Sequence, residues 1–273
     1  MGRPIAKRPK LFAQSVNDIA PKWRDLRRRA HRLFACTDIG LDKSAIEITE
    51  FVSGDVVAAS STDLTKEHTP FGYGLACPGS TTTRVTFDET GYRLIGAPDF
   101  SYGILADHEN AAKACWAHSL STSRYMLQRN STDAVFRPTG QGTATFSGIA
   151  TVAAGTTEFF SANVETGNPA TLYGFHQGES LGSVGALNLS GQARFNNFLG
   201  RDVTSAEALL GVFHNAWVID GFLSPGQHRA LCDDPWGLFE AAPKVSILVP
   251  GVAPGPGGGG GVVIPKQLLI GSA

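Results

Sequence analysis

Seven histidines, 24 carboxylates and four cysteines are the groups in this 273-residue chain that could carry acid–base, metal or thiol chemistry. Hydrolysis of a glycosidic bond needs two flanking carboxyl groups, one to donate a proton and one to act as base or nucleophile. Asp107 and Glu109 are two apart, the spacing that puts both on one face of a strand, but Asn110 follows instead of a third acid. Glu47 and Glu50 are three apart and so point to opposite faces of an extended chain. Neither pair makes a convincing hydrolytic site, and no catalytic residue is assigned. His31, His68, His108, His118, His176, His214 and His228 form no HxH or HExxH spacing, so no metal ligand set and no cofactor is expected. Cys36, Cys77, Cys115 and Cys232 show no CxxC spacing; four separate thiols are the plain reading, with a distant disulfide left open. The run GPGGGGG lacks the Lys-Ser/Thr of a phosphate-binding loop and reads as linker. Sugar recognition needs exposed aromatics beside carboxylates or amides; Trp116, Tyr125, Tyr173 and Phe175 are the candidates, although strand aromatics more often fill a core.

Charge is distributed unevenly. The formal net charge is −1, yet residues 1–33 hold ten basic and two acidic side chains, net +8, leaving −9 on the remaining 240 residues. Such a split points to a charged partner. Pro4 and Pro9 keep the start extended, and Pro21 opens a helical pattern through Ala35 in which Trp23, Leu26, Ala30, Leu33 and Phe34 share one face. Lys7, Arg8, Lys10, Arg24, Arg27, Arg28, Arg29 and Arg32 are the candidate partner contacts, since guanidinium forks suit carboxylates and phosphates. The partner could be an acidic protein surface; the acidic body disfavours DNA as the main target. Alternatively the helix docks on its own acidic body. If the segment is an arm, deleting residues 1–33 leaves the body folded.

The elements that must position these groups are mostly strands. Hydrophobic content of 42% supports a packed core, and there is no apolar run of membrane-spanning length and no apolar stretch of the kind a secretory signal needs. Short β-like runs occur at 44–52, 82–88, 101–107, 142–151, 156–164, 170–176, 184–189 and 209–220, separated by Gly, Asn, Asp and Pro. In the first, Ile46, Ile48 and Val52 should face the core. The pattern predicts an all-β, antiparallel two-sheet sandwich or jelly roll. A further strand is expected at 244–250, followed by a Gly/Pro linker at 251–261. An apolar tail closes the chain, in which Val262, Val263, Ile264, Leu268, Leu269 and Ile270 either pair with another chain's sheet edge or fold back.

The most informative segment is AWVIDGFLSPGQHRALCDDPWGLF, residues 216–239. A strand ends near Asp220; Ser224 suits an N-cap, Pro225 the first helical position and Gln227 the capping box, and Pro235 stops the helix before Trp236, Leu238 and Phe239 form an apolar plug. This strand, capped helix and Asp-Pro-Trp-x-Leu-Phe close resembles the end of a concanavalin A-like (LamG-type) jelly-roll domain, as found in tailed-bacteriophage and prophage virion proteins. Leu223, Ser224, Leu231, Asp234, Pro235, Trp236, Leu238 and Phe239 match, with Gln227 replacing the family's Glu. The resemblance implies a basic arm with helix (1–35), a jelly roll (36–243) and a C-terminal extension (244–273). It further implies a non-enzymatic virion structural protein, made in the bacterial cytoplasm, that self-associates and binds other capsid or tail proteins. The alternative is an adhesin recognising host surface glycan. A glycan hydrolase ranks third, because the Glu-x-Asp-x-x-Glu-like strand pattern of glucanases on this fold has no counterpart here.

Overall fold

In the computed structural model of the protein, the residues described are 12–36, 47–52, 56–58, 65–69, 72–78, 85–89, 99–108, 112–120, 123–130, 133–138, 144–147, 149, 155–165, 169–187, 195–199, 210–242, 246–247 and 268–269. A 3-10 turn (Val16–Asp18) and helix α1 (Pro21–Arg28) come first. Strands follow as β1 (Ala30–Cys36), β2 (Glu47–Glu50), β3 (Val56–Ala58), β4 (Thr65–Thr69), β5 (Gly72–Pro78), β6 (Val85–Glu89), β7 (Phe100–His108) and β8 (Ala112–Leu120). The series continues through β9 (Ser123–Asn130), β10 (Asp133–Pro138), β11 (Ala144–Ser147), β12 (Thr156–Glu165), β13 (Ala170–His176), β14 (Glu179–Leu187), β15 (Phe195–Leu199) and β16 (Leu210–Asp220). Helix α2 (Pro225–Asp233) and the short strands β17 (Ser246–Ile247) and β18 (Leu268–Leu269) complete the chain.

Among the described residues the strands form an all-antiparallel sandwich. The larger sheet runs β14-β13-β12-β7-β16-β1-β2-β3, with β5 also on β16 and β4 on β5; the smaller runs β11-β10-β9-β8-β15-β6. This is the mainly antiparallel, concanavalin A-like architecture expected from the sequence. The strands at 101–107, 156–164, 170–176 and 209–220 lie where alternation put them. In the smaller sheet, β8, β9, β10 and β15 escaped notice; the register shift between Ala114 and Trp116 breaks the period of two in β8.

Both faces of the larger sheet are buried. Phe34, Ile48, Ile104, Phe160, Leu172, Phe213 and Val218 point inward, where Phe146 of the smaller sheet joins them. Leu33, Leu105, Phe159, Trp217 and Ile219 occupy the outer face. There they are covered by Trp23 and Leu26 of α1, Leu231 of α2, and Trp236, Leu238 and Phe239 of the plug. Alternate residues of β1 thus enter two different cores, and that explains its continuous Leu-Phe-Ala-Cys run.

The N-terminal helix differs from expectation in two ways. It stops at Arg28 instead of running through Ala35, because residues 30–36 pair with β16 and β2. The boundary expected between 35 and 36 therefore falls inside a central strand. The helix also docks on its own body: Trp23 is 4% and Leu26 2% exposed, and the Trp23 indole N–H donates to Asp234 at 3.0 Å. Gly237 makes this approach possible, since a side chain there would collide with the Trp23 ring. At the end of β2, Val52 is 46% exposed instead of core-facing. No helix among the described residues is long and apolar enough to cross a membrane.

Candidate functional site

Most of the described arm arginines bind the protein's own backbone. Arg24 donates to Ile19 O and Asn17 O. Arg27 is buried, donates to Leu238 O and Phe51 O, and sits over the Phe51 ring. Burial holds its pKa below the ordinary value, with Glu50 partly offsetting the effect. Arg29 donates to Asp220 O and Phe222 O, and Arg32 lies 3.7 Å from Glu50. Arg28 is exposed. Lys7, Arg8 and Lys10 lie outside the described residues, as do Val262, Val263, Ile264 and Ile270 of the tail; Leu268 and Leu269 pair with Ile247 and Ser246.

The closing motif is structural throughout. Gln227 N donates to Ser224 Oγ at 3.2 Å and Ser224 N to Gln227 Oε1 at 2.8 Å, the reciprocal capping box. Asp234 accepts from Trp23 and Lys22, Pro235 O accepts from Asn215, and Trp236 and Phe239 are fully buried. The acid pairs make no hydrolytic site among the described side chains. Asp107 is buried beside Thr157 and His214; Glu50 accepts from Leu33 N and Val52 N; the Glu47 and Glu109 side chains lie outside the described residues. Cys36, Cys77 and Cys232 are buried thiols donating to Phe213 O, Leu75 O and Gln177 Oε1; the Cys115 side chain is not among those described.

One buried network resembles catalytic machinery in its residue types. Ser161 Oγ is 2.8 Å from His228 Nδ1, and His228 Nε2 is 2.9 Å from Asn163 Oδ1. The Asn163 amide is oriented by Leu223, whose carbonyl accepts from Nδ2 and whose N–H donates to Oδ1. His228 Nε2 must therefore carry the proton, and Ser161 donates to Nδ1. Ser161 and His228 have no exposure and Asn163 only 5%; His228 also stacks on Phe175 at 3.8 Å. A nucleophile must reach its substrate, and this serine cannot. Ser101 completes the network, accepting from Leu223 N and sharing its one hydroxyl proton between Asn163 Oδ1 and Gly221 O.

The network fastens the loop after β16. Gly221 O accepts from Ser101 Oγ, Phe222 O accepts from Arg29, and Leu223 N donates to Ser101 and Asn163, so both peptide units flanking Phe222 are tied down; Gly221 N donates to Asp99 O at 2.5 Å one unit earlier. Gly221 adopts φ +77°, and a Cβ there would stand 2.9 Å from Arg29 Nη2. The loop's large apolar side chain left exposed is Phe222, at 38%, beside buried Leu223. Tyr173 of β13 meets it edge to face with ring centroids 5.8 Å apart, and the Tyr173 hydroxyl donates to Glu165 Oε2 at 3.1 Å. That hydrogen bond raises the phenol's pKa, helped by partial burial and by the charges of Glu165 and Asp99. The result is an aromatic pair flanked by a carboxylate on a rigid base.

Of the four aromatics singled out from sequence, Tyr173 belongs to this patch, while Phe175 is buried on His228. The side chains of Trp116 and Tyr125 are outside the described set. Phe222 and Glu165 were missed. The polar pair Ser161 and Asn163, two apart among the apolar Phe159, Phe160, Ala162 and Val164 of β12, was the available signal for the network beneath.

No protein-family model matches the chain, and no curated protein does. Solved structures of similar fold include the binding domain of Paraclostridial Mosquitocidal Protein 1 (TM-score 0.52, 8% identity, 76% of this chain and 52% of that one). Another is a Trypanosoma rangeli sialidase in complex with 2,3-difluoro-KDN (TM-score 0.51, 7% identity, 75% and 32%). A third is the Botulinum neurotoxin serotype D binding domain (TM-score 0.50, 9% identity, 77% and 51%). The chain spans about half the length of the toxin binding domains it matches. At these identities the likeness defines the fold.

Proposed function

We propose that this protein is a non-enzymatic glycan-recognition module. The observation that carries the reading is Phe222, an exposed aromatic whose flanking backbone is pinned and which stands edge to face with Tyr173 beside Glu165. A sugar ring can lay its C–H face on such a platform while its hydroxyls donate to the carboxylate, and a fixed platform loses little entropy on binding. The sandwich scaffold is shared with toxin binding domains, which supports a binding role. The resemblance of residues 216–239 to tailed-phage jelly rolls favours a place on the outside of a virion, holding host surface glycan. Several copies in an oligomer, together with other capsid or tail proteins, would raise avidity.

The test is a glycan array followed by calorimetry on the best ligand. Phe222→Ala should weaken binding by about tenfold, the scale of one lost aromatic contact, with little change in Tm because the ring is exposed. A flat array, or full affinity in Phe222→Ala and Tyr173→Ala, refutes the reading.

A further inference from the structure

We infer that the Tyr173–Phe222 patch selects uncharged saccharides and rejects those carrying carboxylate or sulfate. The inference rests on the reading just given and adds the ligand class. Two acids flank the aromatic pair. Glu165 is exposed at the end of β12 and is within hydrogen-bond reach of the Tyr173 hydroxyl. Asp99 precedes β7, its backbone tied to Gly221, and its charge reaches the Tyr173 phenol.

Among the described residues, the cation beside this loop is Arg29, whose capacity is largely engaged. Its Nε and Nη2 donate to Asp220 O, Nη2 also reaches Phe222 O, and Nη1 lies 3.5 Å from Asp25. An acidic sugar laid on Phe222 would bring its anion against Glu165, and among the described residues the guanidinium beside this loop, Arg29, is already committed to backbone carbonyls and Asp25. Like charges brought together across a contact are a strong means of rejecting a ligand. A neutral hexose has hydroxyl donors for the same carboxylate and incurs no such repulsion. The contrast between the two ligand classes is electrostatic, so it should fade as salt screens it.

The experiment compares immobilised lactose-terminated glycan with its sialylated counterpart on the full chain, at low and high salt. We expect the neutral glycan to bind at least about tenfold more tightly at low ionic strength. That ratio should shrink at high salt, and it should shrink at least about threefold in Glu165→Gln, which keeps an acceptor for Tyr173 but loses the charge. Tyr173→Phe, which leaves the charges in place, should retain the preference. Equal binding of the two glycans, or stronger binding of the sialylated one, overturns the inference and leaves glycan recognition standing. A preference unchanged by salt also overturns it, even if Glu165→Gln fails to fold. Binding of neither, with a flat response across a wider array, removes both the inference and the reading it rests on.

Discussion

His228 lies flat on Phe175 with both ring nitrogens hydrogen-bonded, and burial lowers its pKa from 6.5 to about 3. Between those values the unfolded chain binds a proton that the folded one refuses. Stability from this residue is therefore intact above pH 6.5 and falls as the pH drops towards 3, by at most about 1.4 kcal/mol per pH unit. Replacing it, as in His228→Gln, should lower stability near pH 7 by roughly 1–3 kcal/mol, because Ser161 and Asn163 lose their partner. It should also flatten the acid limb of a plot of Tm against pH; an equally steep limb in the variant would refute the assignment. Tyr173 could be singled out from sequence because aromatics and acids are visible as types. Its partner Phe222 was not, because exposure depends on Leu223 turning inward to a network drawn from β7, β12 and α2.

At the scale of elements, what was readable depended on how local the interactions are. Helix α2 formed as its sequence requires, since Ser224, Pro225 and Gln227 make their interactions within one turn. Ser224→Ala should cost about 1 kcal/mol in urea unfolding. Gly221 is more exacting: Gly221→Ala forces a side chain into a left-handed backbone position against Arg29, and should cost about 1–3 kcal/mol while weakening glycan binding through a displaced Phe222. Helix α1 shows the opposite case. Its apolar stripe over Ala30, Leu33 and Phe34 satisfies a helical period, but the continuous run Leu33 to Cys36 equally suits a strand buried on both faces, and pairing with β16 some 190 residues away decides between them. The arginine pattern misleads for the same reason. Nothing near Arg27 in sequence reveals that the carbonyl of Leu238 will accept from it.

For the whole molecule, the sandwich was legible from alternation and turns, while the division into arm, body and tail was not. Residues 30–36 form a central strand, so deleting 1–33, which an arm would tolerate, should abolish cooperative unfolding and leave an aggregating product by light scattering. Trp236→Ala, within the plug, should cost about 3–5 kcal/mol in denaturant melts. The segments at 12–19 and 239–242 also close on each other, through Ala13 N to Phe239 O at 2.7 Å, Ala242 N to Asp18 O at 2.6 Å, and bridges joining Phe12 to Glu240 and Ile19 to Ala241. A pull applied between residues 12 and 242 would load this clasp before any strand of the sandwich. In a single-molecule stretching experiment the molecule should yield in two steps, the clasp first and the sandwich at greater extension. A module holding a ligand under tension would thus give way at its seam while the aromatic patch, anchored to β7 and β12, stayed in place.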